Sequence, residues 1–192
     1  MRIGILALQG DFREHYLALE RCGVTPHFVR REAEIESLDA LVIPGGESTA
    51  IAHLAQVCGV FDVIAAKIAS GMPTYGSCAG MILLADRILD AAPGQRTFGG
   101  LDVTVRRNAF GRQVDSFEAD LSFNHHDVHA VFIRAPWVED VGTGVEILAT
   151  VHTQSGDHPV AIRNHHILAT SFHPELTEDS VVHRYFLENV VR

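Results

Sequence analysis

Short apolar runs bounded by turn residues alternate with segments of helical period through the first half of the chain. Ile3 to Leu8 reads as a buried strand. Asp11 then stands as an N-cap with Glu14 three residues on, a capping-box spacing, and Gly23 stops the helix. Thr25 to Arg30 is a short strand, and Ala40 to Ile43 is another that runs into Pro44-Gly45-Gly46. Ser48 to Ala55 and Phe61 to Ala69 have helical spacing, with Gly71 as the stop. Pro73 to Tyr75 is a strand leading into a glycine-flanked turn, and Ala79 to Ala85 is the helix that follows. The second half is strand-rich: Leu101 to Arg107, Val114 to Asp120, Ala130 to Ile133, Val145 to Val151, Val160 to Arg163 and Ile167 to Ser171. Thr177 caps a last helix over Asp179 to Val191, with Val182, Tyr185, Phe186 and Val190 near one face. Alternating strands and helices predict an α/β fold with an open, mostly parallel sheet covered by helices on both faces, as one domain over residues 1–192.

The 192 residues, 47% of them hydrophobic, are enough for a substantial core and argue against disorder. A net charge of −9 without a basic cluster makes nucleic acid a poor partner. Cys22, Cys58 and Cys78 have an odd count and no CxxC spacing, which points away from a disulfide framework or zinc ribbon and towards a reducing, cytoplasmic setting. The apolar start is too short for a signal peptide or a membrane span.

Chemistry concentrates at Gly76-Ser77-Cys78-Ala79-Gly80 and His173-Pro174-Glu175. Glycines two residues either side of a cysteine suggest a sharp strand-to-helix turn that lifts a nucleophile out of the backbone. The carboxyl end of a strand is where open α/β sheets place their sites, and a helix start favours a thiolate. A lone cysteine is often only a small core residue. Here the two glycines and a downstream imidazole with an acidic partner distinguish Cys78. Pro174 fixes the backbone between His173 and Glu175, so that Glu175 can accept from the ring. The amide of Ala79 is a natural oxyanion donor. Pro44-Gly45-Gly46-Glu47-Ser48-Thr49 offers free amides at a helix start, suited to an oxyanion or a carboxylate. Arg107 and Arg134 are either clamps for a substrate carboxylate or solvated charges. His125, His126, His129, His165 and His166 fall in expected loops without partners for a metal site. These residues indicate a cysteine-based acyl-transfer or amide-hydrolysing enzyme, with no metal or cofactor expected.

The three blocks at Pro44 to Thr49, Gly76 to Gly80 and Ser171 to Leu176 resemble the triad (class I) glutamine amidotransferases. Leu8-Gln9-Gly10 with Glu14-His15, Arg107 to Gln113 with Ser116-Phe117-Glu118, and Phe132 to Pro136 narrow the resemblance to the glutaminase subunits of pyridoxal 5′-phosphate synthases. The resemblance runs from Ile3 to the last helix. It implies a three-layer, flavodoxin-like glutaminase that hydrolyses L-glutamine to glutamate and ammonia. It assigns Cys78, His173 and Glu175 as the triad, Gly46, Glu47, Ser48, Arg107, Ile133 and Arg134 to glutamine binding, and Gly46 and Ala79 to the oxyanion. The implied partner is a (β/α)8-barrel synthase subunit in a hetero-oligomer, with Gln9 and Gly10 as candidates for sensing it. Ser77, where threonine is frequent, and the histidine-rich stretch Ser122 to Val131 depart from the pattern. Other readings are a glutaminase subunit of another synthase such as imidazole glycerol phosphate synthase, a cysteine hydrolase acting alone, and a non-catalytic binding module on the same fold.

Overall fold

The computed structural model describes residues 1–110 and 116–191. Its first half runs β1 (Ile3–Leu6), α1 (Phe12–Arg21), β2 (His27–Val29), α2 (Glu32–Glu36), β3 (Ala40–Ile43), α3 (Ser48–Val57), α4 (Phe61–Ala69), β4 (Thr74–Ser77) and α5 (Ala79–Leu84). The second half runs β5 (Ala85–Leu89), β6 (Leu101–Arg106), β7 (Ser116–Phe123), β8 (His126–Ile133), β9 (Trp137–Val141), β10 (Glu146–Thr153), β11 (Gly156–Arg163) and β12 (Ile167–Thr170). A single 3-10 turn (Pro174–Leu176) and α6 (Val181–Asn189) follow.

A seven-stranded sheet in the order β10-β11-β12-β4-β3-β1-β2 organises the molecule. The pairs from β12 to β2 are parallel, and β10 and β11 extend the sheet as antiparallel strands. Side chains alternate across each strand, so one element serves two cores. Leu41 and Ile43 pack on one face with Ile51, Ile64 and Leu83 of α3, α4 and α5. Ala40 and Val42 pack on the other with Leu19 of α1 and Val182 and Phe186 of α6. Helices therefore cover both faces of the mostly parallel sheet. β5, β6 and β9 form a small second sheet, and β7 and β8 pair as a hairpin.

The sequence reading holds for the central elements and fails at the margins. β3 and α4 have the expected bounds, whereas β1 ends at Leu6, β2 shrinks to three residues, and β8, β10 and β11 run longer. The expected strand from Val114 begins in the structure at Ser116, its first two residues lying outside the described residues. The capping box at Asp11 does not form: Asp11 makes no side-chain cap bond, and its carboxylate lies 3.4 Å from the His173 ring. Ser180, not Thr177, precedes the last helix, and the Thr177 hydroxyl donates instead to the Pro174 carbonyl at 3.0 Å. His126 and His129 lie in β8 rather than in a loop. His129 bonds the carboxylates of Asp120 and Glu118 across the hairpin, at 2.7 and 2.9 Å. The turn of that hairpin, Asn124-His125, has φ of 44° and 68°, the left-handed pair that a two-residue hairpin favours.

Candidate active site

β4 delivers Cys78 at the carboxyl end of the central sheet, between β12 and β3. The Cys78 amide donates to the Thr170 carbonyl of β12 at 2.7 Å, and its backbone is left-handed, with φ 47°. A β-carbon at residue 76 would lie 2.6 Å from the Gly80 carbonyl carbon, and one at residue 80 would strike the Ile43 carbonyl. The flanking glycines thus let the helix return tightly onto the strands. A non-glycine residue held at positive φ costs about 1–3 kcal/mol and persists only where its surroundings over-determine it. Cys78 is 6% exposed, and its sulfur lies 3.9 Å from the Ile133 carbonyl.

His173 follows β12, with its amide bonded to the Val131 carbonyl of β8 at 2.9 Å. Pro174 opens the 3-10 turn that folds Glu175 back under the ring. His173 Nδ1 donates to Glu175 Oε1 at 2.8 Å. Burial alone would push the His173 pKa down, but its bonds with Asp11, Cys78 and Glu175 outweigh it and hold the imidazolium up to about 12. Glu175 is 4% exposed; burial opposes its charge, while His15 and His173 bring its carboxyl below the usual range. Asp11, His173 and Glu175 bring ligand-type atoms within 4.8 Å of one another. The His173 proton already occupies the space between ring and carboxylate, which suits a hydrogen-bonded triad better than a cation.

Cys78 and His173 open onto a cleft of about 320 Å³ that Gln9, Asp11, Gly46, Glu47, Ser48, Arg107, Ile133 and Arg134 also line. All six residues expected to bind glutamine therefore face the same cavity as Cys78, and Ala79 sits buried at the first position of α5. Arg107 is not a solvated charge. Its side chain is 16% exposed and donates to Glu47 Oε1 at 3.0 Å and to Gln95 Oε1 at 3.1 Å. Gln95 in turn donates to the Ser48 hydroxyl at 2.9 Å. Glu47 also caps α3, accepting from the Ala50 amide at 2.8 Å and from the Thr49 hydroxyl. Burial opposes its charge, and these bonds with Arg107 keep its carboxyl below the ordinary range. The Glu47 amide donates to Gln9 Oε1 at 2.9 Å, and a β-carbon on Gly10 would collide with the Gly45 carbonyl. The loop after β1 is thereby locked to the glycine loop after β3.

Phe110 explains how the remote blocks support the cleft. It packs on Phe117, Phe132 and Trp137 with ring centroids 4.9, 5.5 and 5.0 Å away, and Phe132 meets Phe172 beside His173 at 5.7 Å. Gly111 to Gln113 of that block lie outside the described residues.

Sequence reasoning did not single out Asp11, Ser77, Gln95 or His183 for the site. Asp11 was assigned to a cap, and His15 appeared only within a family block. His183 is fully buried, and burial first, then the nearby His15, pushes its pKa down to about 3. The ordinary value is near 6.5, so below that pH the unfolded chain binds a proton here that the folded protein refuses. Stability is therefore expected to fall as the pH drops from about 6.5 towards 3, at up to about 1.4 kcal/mol per pH unit from this group. Urea titrations between pH 6.5 and 5 should show a shallower pH slope for His183→Gln than for wild type. Equal slopes would refute a ring kept neutral by burial.

The family model described as the SNO glutamine amidotransferase family matches residues 5–192. The chain belongs to the SNO glutamine amidotransferase family. Similar relatives include "Pyridoxal 5′-phosphate synthase subunit PdxT" of Parafrankia sp. (strain EAN1pec), 58% identical over 98% of this chain and 93% of that protein. The protein of the same name from Nocardia farcinica (strain IFM 10152) is also 58% identical, over 98% of this chain and 85% of its own length. A solved structure, "Crystal structure of glutamine amidotransferase", superposes with a TM-score of 0.90 at 49% identity, covering 98% of both chains. PurLQS from Thermotoga maritima, at 13% identity, shares the fold, with a TM-score of 0.68 over 99% of this chain and 96% of its own. As an SNO family member the chain is a glutaminase-type enzyme. No single helix among the described residues is long and apolar enough to cross a membrane.

Proposed function

We propose that the whole chain is one glutaminase domain, the ammonia-producing subunit of a pyridoxal 5′-phosphate synthase in the cytoplasm. The observation that carries the chemistry is that Cys78 and His173, the latter bonded to the buried Glu175, line one cleft together with Glu47, Ser48, Arg107 and Arg134. The names of its relatives carry the destination of the ammonia.

In this reading the Cys78 thiolate attacks the side-chain amide carbon of L-glutamine. The amides at Gly46 and Ala79 stabilise the oxyanion, worth about 3–4 kcal/mol per donor in comparable sites. His173, charged and held by Glu175, gives its proton to the leaving nitrogen, the C–N bond of the tetrahedral intermediate breaks, and ammonia departs to leave a thioester on Cys78. The neutral ring then takes a proton from water, which attacks the thioester and returns Cys78 to its starting state while glutamate leaves. Arg107 and Arg134 bind the substrate's polar end, beside the Ile133 carbonyl.

Ammonia must stay unprotonated to act as a nucleophile, so its consumer has to sit against this cleft. A (β/α)8-barrel synthase subunit is the proposed partner. Gln9 is the proposed sensor, because its side chain holds the Glu47 amide in the oxyanion-type loop. Glutamine turnover by the chain is expected to rise about 100-fold on adding the synthase subunit, the scale of one oxyanion donor brought into line. An ammonia assay with and without that subunit checks this, and equal turnover in the two conditions would sink the coupling. The imidazole glycerol phosphate synthase alternative gains no observation in its favour.

A further inference from the structure

We propose that His15 is a positioning residue of the triad, reaching across from α1 to fix the Glu175 carboxylate through Ser77. His15 is fully buried on the inner face of α1, with Ala18 and Leu19 as its buried neighbours on that helix. Its Nε2 lies 2.9 Å from the Ser77 hydroxyl and 3.4 Å from Glu175 Oε1. Its Nδ1 lies 2.9 Å from His183 Nε2, on α6. Residues of α1, β4, the 3-10 turn and α6 thus meet in one buried cluster around Glu175.

The donor count assigns directions. The Ser77 hydroxyl has one proton and donates it to Glu175 Oε1 at 3.2 Å. His15 Nε2 must then donate to the Ser77 oxygen, since nothing else there can fill that contact. Glu175 Oε1 also accepts from His173 Nδ1, so the His15–Ser77 chain and the catalytic ring converge on one oxygen. Glu175 Oε2 has no hydrogen-bond partner and is buried. Oε1 alone therefore sets the direction of the carboxylate, and the Ser77 hydroxyl, held by His15, is a second donor that fixes Oε1 in the plane the His173 ring needs. Tyr75 packs edge-on against both His15 and His183, centroids 5.7 and 5.6 Å away. Ser77 has a reason to be a hydroxyl residue: it is the link between the two rings and the carboxylate.

The inference rests on the triad reading above, and the test separates the two. Steady-state glutaminase kinetics are measured on the complex with the synthase subunit for wild type, Cys78→Ala, His15→Leu and His15→Gln. His15→Leu should lower kcat about 10- to 100-fold with KM for glutamine within about twofold, the scale of a hydrogen-bond chain to a charged group. His15→Gln, which places an N–H where Nε2 stands, should recover kcat to within about fivefold of wild type. Wild-type kcat in His15→Leu, or equal losses in the leucine and glutamine variants, would overturn the positioning role. Should His15→Leu fail to fold, Ser77→Ala decides: a kcat drop of about tenfold at unchanged KM supports the chain, and unchanged kcat overturns it. Turnover by Cys78→Ala would instead sink the triad reading itself.

Discussion

Replacing Cys78 with alanine is expected to lower glutamine turnover in the synthase complex at least about 10,000-fold, with glutamine affinity within about threefold of wild type. The size follows from what is removed. A thioester cannot form without the sulfur, and the oxyanion amides and the His173 ring have no other nucleophile to assist. Binding survives because the cleft is lined mainly by groups from other segments: Gly46, Glu47 and Ser48, Arg107, and Ile133 and Arg134. Alanine at 78 is also compatible with the elbow, since the contacts of that turn come from Gly76 and Gly80. Ammonia release gives the rate, and calorimetric titration with glutamine gives the affinity. Substantial turnover by the variant would remove Cys78 as the nucleophile.

Glu175→Gln is expected to cost about 1,000- to 10,000-fold in kcat, the range seen when a triad carboxylate loses its charge but keeps its shape. The amide oxygen can still accept from His173 Nδ1, so the ring is not released. Its countercharge is gone, however, and the buried amide NH2 would stand where Oε2 has no partner. His173 is held up to about 12 by Asp11, Cys78 and Glu175 against burial. Removing one of those three lowers that value, so the alkaline limb of kcat/KM should move to lower pH. A pH–rate profile that keeps its wild-type limb would show that Glu175 acts by packing alone.

Much of this arrangement could be read from the chain because its central strands are doubly buried and short. Ala40 to Ile43 has no polar residue to blur its ends, and the glycine turn after it marks where the cleft begins. β5 and β9 escaped notice for a physical reason. Asp86 and Arg87 interrupt β5, and Glu139 and Asp140 interrupt β9, because each strand lies in the small sheet with one side open to solvent. Their pairing is decided by tertiary contact, which no local period records. The capping-box spacing at Asp11 misled because the same carboxylate has two possible uses, and proximity to the His173 ring decided between them. The least legible part was the buried polar chain. His15 and His183 are 168 residues apart. On their own helices each looks like one polar residue on an apolar face. Only the fold shows that they meet each other next to Glu175.

Gly10, Gly45, Gly76 and Gly80 leave no room for a side chain next to the Gly45 carbonyl, the His173 ring, the Gly80 backbone and the Ile43 carbonyl respectively. In a saturation library these positions would be as silent as the triad, although the glycines themselves carry no reacting group. The room for evolution towards a different amide lies elsewhere, at the exposed Arg134 on the rim and in the part-buried Arg107–Gln95–Ser48 chain of the cleft wall, which can be rewired one side chain at a time. A hydrolase engineer should hold the elbow and its glycine neighbours constant and randomise those positions.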